Sequence, residues 1–257
     1  MSALDAVAIV PVRVDSQRLP RKALLRETGK ALFLHTWEAS KRAKCFADTI
    51  IATDSDEVEA EARKAGATVI RTSPKCRTGS ERCAEAAREL PRSFSDAIRF
   101  VVDIQGDWPE VLAADLEQLV LALRKGTSPS ATLARPMQEQ AKISDPNVVK
   151  VVRGRSGDAL YFSRAAIPYR KRLDTGIGAL RHIGVYGFTR DTLARIPDLP
   201  SSGLDETESL EQLRFLENGI AMQVVIAQGD PWGIETRSDY DAFLVREAKR
   251  RMQGGSS

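Results

Sequence analysis

Four cations, Arg13, Arg18, Arg21 and Lys22, stand within ten residues of one another, directly behind the apolar run Val7–Pro11. A short apolar run stopped by turn signals has the pattern of a strand buried on both faces. Ser16 and the prolines at 11 and 20 mark the cationic stretch as a loop. Clustered cations and free backbone N–H groups at the end of a buried strand suit a polyphosphate. A second chemical stretch is Gln105-Gly106-Asp107-Trp108-Pro109, behind the apolar run Ile98–Ile104. Parallel sheets gather ligands at the carboxyl ends of their strands, so this loop is expected at the same edge as the first. Asp107 is then a candidate Mg²⁺ ligand, because Mg²⁺ favours carboxylate oxygen together with phosphate oxygens and water. A third stretch, Arg77 to Arg82, opens a helix behind another short strand. Its Ser80 and Glu81 suit either a helix cap or a ligand loop, and its position favours the loop.

The elements that must carry these residues alternate regularly. Strands are expected at Val7–Pro11, Asp48–Asp54, Thr68–Ile70 and Ile98–Ile104. Helices are expected at Leu32–Lys44, Asp56–Ala65 and Ser80–Leu90. Ser55 is placed to cap the second helix and Gly66 to close it. His35 reads as a packed or surface histidine. The alternation to about residue 129 predicts an α/β fold with a Rossmann-like, doubly wound, mostly parallel sheet. Residues 130–190 carry strand-like runs without long helices between them, so a sheet-rich insertion with antiparallel pairing is expected. Residues 191–250 return to the main domain through one helix, Leu204–Asn218, whose Leu210, Leu213 and Leu216 face the core. A strand at Ile220–Ala227 and a final helix capped by Thr236 and Asp239 complete that segment. Residues 251–257 read as a flexible tail.

Composition removes several function classes. Of the 257 residues, 38 are Lys or Arg and 35 Asp or Glu, a formal charge of +3. That near balance excludes the global basic field of a nucleic-acid binder and leaves positive charge local, as an acidic small ligand requires. Cys45, Cys76 and Cys83 form no C-x-x-C pair and read as reduced thiols. No apolar run approaches membrane-spanning length, and no basic start precedes an apolar stretch. A soluble cytoplasmic protein is expected.

Pro11 to Leu24 spells P-x-R-x-x-S-x-R-L-P-x-K-x-L, which resembles the nucleotide-binding loop of the sugar-activating cytidylyltransferases. D-P-N-V-V-K-V-V, A-L-Y-F-S-R-A-x-I-P and R-H-I-G-V-Y-G-F narrow the likeness to the 3-deoxy-manno-octulosonate (Kdo) cytidylyltransferases, and it runs from about Val7 to Lys249. The resemblance implies CTP and a sugar acid as substrates, Mg²⁺ as cofactor, and a homodimer with residues 130–190 in its interface. It implies that Pro11, Val12, Arg13, Ser16, Arg18 and Lys22 hold the triphosphate. Thr78, Gly79, Ser80 and Arg82 would line the base pocket with Gln105. Gln105, Arg164, His182, Tyr186, Glu211 and Gln212 would hold the acid, and Asp107 and Glu235 the metal. Lys22, Arg18 and Asp107 would carry the catalysis. A sugar acid does need a cation for its carboxylate and directional partners for its hydroxyls.

The sequence departs from the family at Val12 (usually Ala), Arg21 (Gly), Trp108 (Glu) and Glu235 (Asp). An extra methylene at 235 moves a carboxylate by about 1.5 Å, while Mg²⁺ contacts lie near about 2.1 Å. Two alternatives stay open: transfer to another small acid, such as an amino-substituted Kdo or a phosphonate, and a binding-only relative.

Overall fold

The computed structural model describes residues 4–172, 178–201 and 203–254. β1 (Ala6–Val12) is buried along its whole length. The cationic loop comes next, with one 3-10 turn at Lys22–Leu24, and leads into α1 (Leu32–Lys41). Then come β2 (Phe46–Thr53), α2 (Asp56–Lys64), β3 (Thr68–Arg71), α3 (Gly79–Arg88), β4 (Phe100–Ile104) and α4 (Ala113–Arg124). Ser55 caps α2 by accepting from the Val58 N–H at 3.3 Å, and Gly66 behind it takes φ +80°. The second half holds β5 (Ser130–Met137), α5 (Gln140–Ser144), β6 (Lys150–Arg153), β7 (Ala159–Ser163), β8 (Ala179–Thr189) and α6 (Arg190–Arg195). It ends with α7 (Gly203–Glu208), α8 (Glu211–Glu217), β9 (Met222–Ile226) and α9 (Arg237–Gly254).

Side chains alternate across a strand, and β1 uses both faces. Ala6, Ala8, Val10 and Val12 join one core with residues of α1, α2 and α4. Val7 and Ile9 join the other, with residues of α3, α6 and α8. The nine-stranded sheet between these layers runs β3-β2-β1-β4-β8-β5-β9, with β6 and β7 off the main path. β3, β2, β1 and β4 are mutually parallel, so the loops behind β1 and β4 leave at one edge. Among the described residues no helix is long and apolar enough to cross a membrane.

Residues 130–190 are strand-rich with the expected antiparallel pairing, and they extend the main sheet: β8 pairs antiparallel with β4, Asp103 opposite Tyr186, and also with β5. Only the β6–β7 hairpin leaves the main path, because β5 and β8 are buried along most of their length and need the same helix layers as β1. Two expectations change. The expected helix Leu204–Asn218 is two helices, broken at Ser209, which takes φ +51°. Leucine spacing is nearly the same across such a break, so periodicity did not reveal it. The last helix runs on to Gly254, past the expected start of the tail at 251, while 255–257 lie outside the described residues.

Candidate active site

Two cavities meet at the carboxyl edge of β1 and β4. The first, about 350 Å³, is lined by Pro11, Val12, Arg13, Ser16, Arg18 and Lys22 from β1 and its loop, and by Gln105, Asp107 and Glu235. The second, about 520 Å³, is lined by Arg164, His182, Tyr186, Glu211 and Gln212, with Arg18, Gln105, Asp107 and Glu235 again. Those four residues are the common wall.

Each carboxylate of that wall faces a cation. Lys22 Nζ donates to Asp107 Oδ2 at 2.5 Å, and Arg18 pairs with Glu235. The loop carrying Glu235 is tied to β4 through Ile234 N, which donates to Asp107 O at 3.0 Å. Leu19 beyond the cations packs with Leu32, Ile234, Tyr240 and Phe243, so α9 clamps the loop. The cap expected on α9 forms: Thr236 N donates to Asp239 Oδ2 at 2.8 Å, and Asp239 N to Thr236 Oγ1 at 3.3 Å. No cluster of three or more His, Cys, Asp or Glu that would enclose an ion exists among the described residues. Two carboxylates beside a polyphosphate cavity nonetheless fit Mg²⁺, which takes its remaining oxygens from phosphates and water.

Arg164 in the second cavity braces the break between α7 and α8. Its Nε donates to Glu208 O at 2.7 Å, Nη1 to Pro146 O at 3.1 Å and Nη2 to Ser209 O at 3.3 Å. Carbonyls take three of its five N–H donors and leave its charge for an anion. His182 is buried on β8, 2.9 Å from Thr132 Oγ1, and burial holds its imidazole down at about 3. Thr132 gives its one hydrogen to Val185 O at 2.9 Å, so His182 Nε2 donates to Thr132 and Nδ1 remains an acceptor. Tyr186 donates to Gln212 Oε1 at 3.2 Å, and burial pushes its hydroxyl up. Glu211 accepts from Thr78 Oγ1 at 2.5 Å and from Arg214 Nη2 at 3.2 Å, and burial pushes its carboxyl up.

Of the residues that the resemblance assigns to the base pocket, Gln105 lines both cavities, and Thr78, Gly79, Ser80 and Arg82 line neither. Thr78 and Ser80 point their hydroxyls at Glu211. Arg82 is buried, donating to Thr72 Oγ1 at 2.5 Å and pairing with Asp54 at 3.3 Å. A guanidinium so enclosed needs those partners and does not reach the cavity wall. Gly79 has a packing role, since a Cβ there would lie 2.2 Å from Gln105 Nε2. Trp108 slots between two more glycines, with ideal Cβ positions on Gly184 and Gly233 each only 3.0 Å from the indole. Sequence reasoning missed Arg181, a buried cation of the second cavity paired with Asp230 at 2.6 Å and stacked 4.1 Å over Trp232. Its one signal was its place beside His182. The buried Asp103 and Arg214 gave none. Burial pushes Cys45 and Cys76 up to about 12 and raises Cys83, so none offers a thiolate.

A family model described as cytidylyltransferase matches residues 7–224. The 3-deoxy-manno-octulosonate cytidylyltransferase of Chlorobium limicola is 39% identical over 254 residues, covering 98% of this chain and 100% of that protein. The chain belongs to the cytidylyltransferase family. The protein of the same description from Chlorobium chlorochromatii is 39% identical over 257 residues, covering 97% of this chain and 99% of the other. Among solved structures, a CMP:2-keto-3-deoxy-manno-octonic acid synthetase complexed with CTP superposes with a TM-score of 0.87 at 31% identity, covering 95% and 99% of the two chains. This cytidylyltransferase therefore has the mixed α/β fold of the nucleotide-diphospho-sugar transferases. Its matched stretch takes in the cationic loop, Asp107 and, from the second cavity, Arg164, His182, Tyr186, Glu211 and Gln212, and stops short of Glu235.

Proposed function

We propose that this cytidylyltransferase couples CTP to the anomeric hydroxyl of 3-deoxy-manno-octulosonate, giving CMP-Kdo and pyrophosphate. The observation that carries the reading is the common wall: a cation-lined cavity and a sugar-sized cavity share Arg18, Gln105, Asp107 and Glu235. Two bound substrates would meet there, and such transfer needs positioning and charge neutralisation more than a covalent nucleophile.

CTP lies in the first cavity with its phosphates against Arg13, Arg18, Lys22 and the backbone at Pro11 and Val12. The acid lies in the second, its carboxylate on Arg164, its hydroxyls among His182 Nδ1, Tyr186, Glu211 and Gln212. The anomeric oxygen attacks the α-phosphorus, the bond to the β-bridging oxygen breaks, and the pyrophosphate departs beside Lys22 and Arg18. Asp107 and Glu235 would hold Mg²⁺, which when bound neutralises phosphate charge and eases loss of the hydroxyl proton. Leu160 on β7, 64% exposed, and Tyr169, 88% exposed, support a homodimer built through this side. A cytoplasmic location suits three free thiols and a nucleotide substrate.

The test is pyrophosphate release from CTP with Kdo, an amino-substituted Kdo and a phosphonate acid as acceptors. Kdo should give the highest kcat/KM, and Asp107→Asn should nearly abolish release at unchanged Tm. A better rival acid would reassign the acceptor. Near-normal turnover of Asp107→Asn at saturating Mg²⁺ would remove Asp107 from the metal site.

A further inference from the structure

One carboxyl at this edge has no part in the chemistry above. Asp103, on β4, is fully buried. Its Oδ1 accepts from Gln105 Nε2 at 2.7 Å, and its Oδ2 lies 3.1 Å from Ser80 Oγ. The same hydroxyl lies 3.2 Å from Glu211 Oε2. A hydroxyl has one hydrogen, so it donates to only one of the two carboxyls. The groups facing Asp103 are few. α3 brings Ser80, the Cys83 thiol and Arg82, which is committed to Thr72 and Asp54. α8 brings Glu211, backed by Arg214, which also pairs with Glu81 at 3.5 Å. β8 brings Tyr186, and β1 only the apolar Ile9. No cation among the described residues pairs with Asp103. Two ionised carboxylates across one hydroxyl in a dry site would set like charges side by side and leave one of them without that hydroxyl's hydrogen.

We propose that Asp103 is a positioning residue of the transfer site, a neutral carboxyl that donates to Ser80, frees Ser80 to donate to Glu211, and fixes the Gln105 amide at the common wall. This role presupposes that the second cavity is the acceptor's. Burial, with the charge of Glu211, holds the Asp103 carboxyl up at about 8, in keeping with this arrangement. Glu211 then keeps a single charge and three donors: Thr78, Ser80 and Arg214. Gln105 commits one of its two amide N–H groups to Asp103 and packs against Gly79, so the amide is held in one orientation with its Oε1 free to accept. The common wall therefore presents an acceptor of fixed position to a ligand hydroxyl or amino hydrogen. Ionising Asp103 would set two anions across Ser80, whose one hydrogen serves only one of them, and repel Glu211 from its place in the second cavity.

The test combines a titration with kinetics. In protein carrying ¹³C-labelled aspartate carboxyls, the signal absent from Asp103→Asn should titrate near pH 8. A signal titrating with ordinary carboxylates, near pH ~4, overturns the proposal. Ser80→Ala keeps both carboxyls and should shift the same signal, because it removes the hydroxyl they share; an unmoved signal overturns the bridge. With CTP and Kdo, kcat/KM for the acid should fall above about pH 8 in the wild type. It should stay flat in Asp103→Asn. At pH 7 Asp103→Ala should lose about tenfold, the order expected when one buried partner is removed, and Asp103→Asn should recover most of it. An alkaline fall that persists in Asp103→Asn, or equal losses for Ala and Asn, refutes the positioning role. Absence of turnover in the wild type would strike the assigned reaction, while the carboxyl signal still decides the state of Asp103.

Discussion

Each carboxylate of the common wall already has a cation, Asp107 with Lys22 and Glu235 with Arg18. The Arg18–Glu235 side chains are 50% and 48% exposed, and pairs of that kind contribute only about 0–1 kcal/mol to stability. In the proposed reaction they hold charge where a triphosphate would exchange for it. Lys22→Ala should therefore cut kcat/KM for CTP by about 10²–10³, partly in kcat, with Tm nearly unchanged, because the charge on departing pyrophosphate grows during the step. An effect confined to the KM of the acid would show that Lys22 serves the other cavity. Glu235→Gln should collapse activity, whereas Glu235→Asp should be tolerated or should change the relative rates with Mg²⁺ and Mn²⁺. Removing charge deletes a ligand, while shortening only alters its reach. Rates across both metals decide the point. Two near-wild-type curves would mean that Asp107, phosphates and water hold the ion alone.

Local backbone decides whether the loop can present those cations. Arg21 sits at φ 54°, ψ 29°, the left-handed region that side chains rarely adopt, immediately before the 3-10 turn carrying Lys22. A non-glycine residue is destabilised by about 1–2 kcal/mol there. Its guanidinium pairs with Glu57 at 2.5 Å on the surface, which offsets little of that strain. Glycine at 21 would remove the strain while leaving a floppier unfolded chain. Urea unfolding should find Arg21→Gly about 1 kcal/mol more stable than Arg21→Ala, which keeps the strain and loses the pair. The reverse order would mean that the turn carries no such strain. The break at Ser209 works similarly, turning two backbone carbonyls toward Arg164 where an unbroken helix would have used them internally.

Across the whole molecule, buried ionisable groups give stability an uneven dependence on pH. Burial, aided by the charge of Lys30, holds His35 down at about 4, and burial holds His182 at about 3, whereas an unfolded histidine titrates near pH ~6.5. Below pH ~6.5 the unfolded chain binds protons that the folded chain refuses, so each histidine makes stability fall as pH falls. Asp103 acts in the opposite sense: held up at about 8, it keeps a proton that the unfolded chain has lost, and stability drops as pH rises toward 8. Denaturant unfolding of His35→Gln between pH ~6.5 and ~4 should show a slope smaller by up to about 1.4 kcal/mol per pH unit. An unchanged slope would show that His35 is protonated in the folded state.

The alternating half of the fold was legible because apolar runs and turn residues are local signals: the strand before the cations, the Ser55 cap and the Thr236–Asp239 cap all stand where spacing put them. Residue type and motif order also singled out Arg13, Arg18, Lys22, Asp107, Arg164, His182 and Tyr186, and the structure brings them to the walls of two adjoining cavities. What chain order could not express was which partners compete for a side chain. No local pattern showed that Asp54 and Thr72 would enclose Arg82. Nor did the stretch around Thr78 and Ser80 show that Glu211, some 130 residues away in sequence, would lie against their hydroxyls. Asp103 looked like one more polar residue ending a strand, and only the fold closed Glu211 over it across Ser80. Burial and long-range pairing set a charge's partners and its proton, and both are properties of the packed sheet and helices rather than of any stretch of sequence.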